Sequence, residues 1–194
     1  MQPLMTEEAR KLADTWTPAQ DGSCLAYGVA GLMRMPTRLR ITWENDTTLS
    51  IETDAGQQTR RLLFDRTAPV PAAKSLQGFS LAEWERFAAG RGGPVPVAGG
   101  VPAAGPGARP ASGSLKVVTT NTSGGWLRRN GVPYSDRTTV TEFFDRFPAG
   151  PDEWLVVTTV VNDPRYLTQD FVTSTHFRRE PDATRWAPAP CKPS

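Results

Sequence analysis

Histidine occurs once and cysteine twice in the 194 residues, and those two shortages narrow the chemistry before any pattern is read. Four-ligand structural zinc and cysteine-held iron–sulfur clusters lack the ligands to form within one chain. Any imidazole acid–base or metal chemistry must pass through His176. Charge of one sign is also missing. Lys+Arg is 22 and Asp+Glu is 20, a formal net charge of +2, so no nucleic-acid partner is expected. No window approaches the ~18 apolar residues of a spanning helix, so no membrane span is expected either. The nucleophile elbow G-x-S-x-G, the Walker loop and the Rossmann glycine fingerprint do not occur. What is abundant is punctuation: 18 prolines and 17 glycines leave little room for long helices.

Two periods organise the chain. Residues 6–17 predict a short helix, with Thr6 as N-cap, Glu7 and Glu8 in its first turn, Leu12 and Trp16 at i, i+4, and Pro18 as the stop. Residues 19–36 read as an irregular lead-in. From 37 to 64 the period becomes two. Leu39, Ile41 and Trp43 alternate with polar positions, as do Leu49, Ile51 and Thr53, with turn residues at 44–47 and 54–57. That pattern predicts a three-stranded meander. Residues 79–87 fit a helical turn or a strand equally. Residues 88–113 are mostly Gly, Ala and Pro and read as an insertion within one domain spanning 1–194. Thr-, Val- and Phe-rich strands then recur through Arg179. The expected fold is all-β and mainly antiparallel: an up-and-down barrel of about eight strands with a short N-terminal helix.

Cys24 and Cys191 stand near opposite ends of the chain. They are either two free thiols or a disulfide. Closing so long a loop contributes roughly 4–5 kcal/mol on the chain-entropy argument. The disulfide reading implies an exported protein, periplasmic or secreted. No basic-then-apolar leader is visible at the N-terminus, so export requires a leader removed from this chain.

Several stretches carry a family likeness. Among them are Leu115–Thr120, Arg129–Ser135, Thr141–Asp145, Asp163–Leu167, Thr173–Phe177 and the tail Trp186–Cys191, together with Ile41–Trp43 and Ile51–Gly56 earlier. In these the chain resembles a group of mostly exported, uncharacterised bacterial proteins with a lipocalin-like, calycin-type β-barrel. The resemblance implies a barrel around a small-ligand cavity, and export. It implies no particular activity.

Candidate site residues follow from residue type and position. His176 shares a strand face with Val172 and Ser174 and is either structural or on the surface, or else cavity-facing. Glu142, between Val140 and Phe144 on its face, is either a buried carboxylate suited to acid–base work or an outward glutamate paired with an arginine such as Arg128. Tyr134 and Tyr166 lie in turns near prolines, where they could rim a barrel mouth. Arg38, Arg40, Arg60 and Arg61 read as a solvated face; an inward arginine would point to an anionic ligand group. Trp43, Trp126, Phe144 and Thr158 are expected to line the cavity, with Arg38 as a further ligand contact. The expected function is binding of a small, largely apolar or aromatic molecule in the barrel. The alternative is a cofactor-free isomerase, lyase, hydratase or cyclase moving protons between His176, Glu142 and Tyr134. A third possibility is an exported interaction module with a filled interior. No metal and no cofactor are expected, with haem on His176 as the one alternative. Composition gives no oligomeric state.

Overall fold

The computed structural model describes residues 4–86 and 113–191. Helix α1 (Glu7–Asp14) begins where expected, because Thr6 Oγ1 accepts the Ala9 N–H at 3.3 Å and caps the first turn. The lead-in holds two 3-10 turns, Pro18–Ser23 and Leu25–Tyr27, and one short helix, α2 (Val29–Leu32). The meander follows as β1 (Leu39–Asn45), β2 (Thr48–Thr53) and β4 (Thr59–Leu63), paired antiparallel in that order. An Asx turn closes the first hairpin, with Asn45 Oδ1 accepting the Thr47 N–H at 2.9 Å. The short β3 (Ala55–Gly56) lies in the second turn.

Of residues 79–87, ambiguous in sequence, Phe79–Arg86 form the strand β5, and Phe87 lies outside the described residues. Strands β6 (Gly113–Thr120), β9 (Thr139–Ala149), β10 (Asp152–Asn162) and β11 (Phe171–Arg178) complete an eight-stranded sheet in the order β1-β2-β4-β5-β6-β9-β10-β11. Two small pairs stand outside it: β7 (Gly125–Trp126) with β8 (Pro133–Tyr134), and β12 (Ala189–Pro190) parallel to β3. The insertion read over 88–113 lies, but for Gly113, outside the described residues.

One expectation is corrected. The sheet curls into a half-barrel, with β1 and β11 as its edges, and does not close on itself. It is mainly antiparallel, as expected, with one parallel pair, β4 and β5. The cause is the connection. Residues 64–78, with Pro69 and Pro71, carry the chain back along β4 before β5 begins, which a tight hairpin cannot do.

Alternation gives the sheet two faces. Leu49, Ile51, Leu62, Val117, Phe144 and Val157 point inward and are buried, with Met33 packed against them. A second core at one end of the trough joins Ala9 of α1 and Val29 of α2 to Tyr134, Val140 and Val161. The disulfide reading holds: Cys24 and Cys191 are bonded. Among the described residues, no helix is long and apolar enough to cross a membrane.

Candidate functional site

At the centre of the inward face lies an ion pair. Register places Arg60 beside Ile51, and Glu142 between Val117 and Thr159. The guanidinium grips the carboxylate at both oxygens, Nη1–Oε1 at 3.1 Å and Nη2–Oε2 at 2.5 Å, with both side chains 0% exposed. Nη2 also reaches Thr119 Oγ1 at 3.4 Å, and that hydroxyl shares a 2.8 Å hydrogen bond with Ser80. Arg60 therefore does not belong to a solvated face. Its anion is the protein's own Glu142, which in turn faces inward and does not pair with Arg128. A carboxylate gripped at both oxygens and sealed from solvent is suited to fixing strand positions and lies out of reach of a substrate.

A cleft of about 430 Å³ opens beside the β7–β8 pair. Its apolar wall is Leu12, Leu25, Trp126 and Tyr166, and its polar rim is Ser123, Asp136 and Arg165. The rim charges are already matched: Lys74 Nζ lies 2.6 Å from Asp136, and Arg165 Nη2 lies 2.7 Å from Glu8 while its guanidinium covers the Tyr166 ring at 4.9 Å. One buried carboxylate holds the wall in shape. Asp163 accepts the backbone N–H groups of Ser135, Arg165 (2.8 Å) and Tyr166 (3.0 Å) and the hydroxyls of Ser135 (3.1 Å) and Thr138. Burial pushes the Asp163 carboxyl up, but these donors outweigh it and keep it below the usual carboxylate range.

Tyr134 stands in the cleft lining with its side chain 2% exposed. Its hydroxyl is seated against two glycines. A Cβ on Gly28 would fall 1.9 Å from the oxygen, and one on Gly125 would fall 2.9 Å from it. The hydroxyl has no hydrogen-bond partner in the structure, nor does the buried Nε1 of Trp126. Burial raises the Tyr134 pKa, and the Arg60 charge opposes it only in part. The phenol stays protonated at any ordinary pH and cannot act as a base.

The cleft thus gathers three of the residues singled out in sequence: Trp126, Tyr134 and Tyr166. The others lie elsewhere. His176 is exposed on the convex face with Val172 and Ser174, opposite Val156, whereas Glu142 points to the other face. The triad of His176, Glu142 and Tyr134 is therefore not assembled. Thr158 also falls on the convex side, out of phase with buried Thr159. Phe144 is core. Arg38 is held by Asp54, its N–H at 2.7 Å and its Nη1 at 3.1 Å. Trp43 faces the trough at its open end, 52% exposed, 5.2 Å from Phe64, which in turn stacks on Trp84 at 5.9 Å. Asp163 and Arg60 are the residues that sequence reasoning missed. Asp163 signalled only a turn before Pro164. For Arg60 the available signal was its phase with Leu62 and Phe64. No protein-family model, curated protein or solved structure matches the chain.

Proposed function

We propose that the protein binds a small, largely apolar molecule, and that it does so in the cleft beside β7 and β8. The carrying observation is the 430 Å³ volume walled by Trp126, Tyr134 and Tyr166, with every rim charge already paired. That size falls in the range of small-molecule sites, which bury most of a ligand against aromatic walls. Affinity would come from removing apolar ligand surface from water, at ~25 cal/mol per Å² before entropy costs. The disulfide supports an exported setting, periplasmic or secreted, for this binding.

The test uses 1-anilinonaphthalene-8-sulfonate as a fluorescent probe. Leu12 is 39% exposed, so Leu12→Glu alters the cleft with little risk to the fold. It should weaken probe binding about tenfold, the cost of placing a charge on an apolar wall, while the far-UV circular dichroism stays unchanged. Equal binding by both proteins would refute the assignment.

A further inference from the structure

The cleft wall is tied to the C-terminus. Cys24 directly precedes Leu25, which lines the cleft and whose carbonyl oxygen lies 2.6 Å from where a Cβ on Gly125 would sit. Cys191 directly follows β12. Between them, residues 179–191 form a strap that leaves β11, crosses to β1 and ends beside β3. It begins with the Arg179 N–H on Glu153 O at 2.8 Å. Arg40 then lies over the Trp186 ring at 4.3 Å, and the Ala189 N–H reaches Asp54 O at 2.9 Å. The last link is the two-residue β12–β3 pair, seated where Gly56 leaves room for the Tyr27 ring; a Cβ on Gly56 would meet that ring at 2.3 Å.

We propose that the Cys24–Cys191 disulfide is a reversible latch on the cleft, an inference that rests on the cleft being the ligand site. Three features support it. Neither cysteine belongs to the eight-stranded sheet, so cutting the bond leaves every ladder of that sheet intact. Both residues are partly exposed, within reach of a reductant, and the strap from 181 to 190 is exposed apart from Trp186. Cys24 also holds a left-handed backbone, φ +60°, which non-glycine residues adopt at a cost. Once the bond is cut, relaxation at Leu25 is opposed by the strap contacts and by the local bonds from the Tyr27 N–H to Cys24 O and from the Gly28 N–H to Leu25 O, while Ala26 and α2 stay anchored in the core.

The reductant is a dithiol, small or protein-borne. One of its thiolates attacks a cysteine sulfur to form a mixed disulfide, and its second thiolate resolves that bond. Two electrons pass to the protein, Cys24 and Cys191 leave as thiols with two protons taken up, and the dithiol leaves oxidised. The released strap loosens residues 24–28, and the cleft loses its Leu25 wall.

Hydrogen–deuterium exchange of the full chain, before and after dithiothreitol, tests the latch. Reduction should speed exchange about tenfold or more at the Tyr27 and Gly28 amides and at Ala189, with α2, β9 and β10 unchanged, as for a local opening. Unchanged exchange at Tyr27 and Gly28, with both thiols confirmed free by mass, would overturn the latch. So would faster exchange throughout β9 and β10, which would make the bond a staple of the whole fold. In parallel, the oxidised chain should bind 1-anilinonaphthalene-8-sulfonate about tenfold more tightly than the reduced chain. The Cys24→Ser/Cys191→Ser double variant should match the reduced chain and ignore dithiothreitol. A probe that fails to bind the oxidised protein overturns the ligand site, whereas a probe that binds both forms equally overturns the latch alone.

Discussion

Removing either partner of the Arg60–Glu142 pair leaves the other as an uncompensated charge in a fully buried site. With both side chains at 0% exposure and two oxygens gripped at 2.5 and 3.1 Å, the relevant magnitude is that of a broken interior pair, about 3–5 kcal/mol for each of Arg60→Met and Glu142→Leu. A chain of this size loses roughly 2–4 °C of melting temperature per kcal/mol, so each single variant should fall by ~6–20 °C. The double variant is different, because it removes both desolvation penalties and leaves apolar groups among Val117, Leu62 and Ile51. Its loss should be well below the sum of the singles, giving a coupling energy of at least about 3 kcal/mol. Urea denaturation followed by far-UV circular dichroism, for all four corners of the cycle, measures it. Single losses under about 1 kcal/mol would mean that water reaches the pair, and the sealed interior would then be wrong.

Asp163 gives a pH signature. Its folded pKa is depressed, so its contribution is present above the unfolded carboxylate pKa of ~3.9 and is lost as pH falls through the lower folded value. Asp163→Asn should cost about 1–3 kcal/mol at pH 7 and flatten the acid limb of stability against pH; an unchanged limb would argue against the five-donor hub. The Tyr134 hydroxyl is buried without a partner, so Tyr134→Phe should be neutral or stabilising by up to about 1 kcal/mol in thermal melts. A loss above about 1.5 kcal/mol would reveal a hydrogen bond to that oxygen.

The meander was legible because its signals are local. Alternation set Leu39–Ile41–Trp43 against Leu49–Ile51, and Asn45 supplied the turn. The N-terminal helix was legible for the same reason, with Thr6 as cap and Pro18 as stop. The parallel β4–β5 pair was not, since two runs of equal period say nothing about relative direction, and only the path of residues 64–78 decides it. Period two likewise groups residues by face without saying which face is inside. His176 was grouped correctly with Val172 and Ser174, yet that face is the convex one. Arg60 and Arg61 are adjacent, so one of them had to face the interior. The residue that makes burial of Arg60 tolerable lies 82 positions away in sequence. The cleft was only half legible, because Trp126, Tyr134 and Tyr166 could be suspected as turn aromatics while their convergence depends on Asp163.

A titration of ¹⁵N-labelled protein with 1-anilinonaphthalene-8-sulfonate, read by NMR, tests the binding cleft most directly. The Trp126 indole N–H and the amides of Gly124, Gly125, Tyr134 and Tyr166 should shift together and saturate on one curve. Shifts confined to Trp43 and Trp84 at the open end of the trough, or none at all, would contradict it.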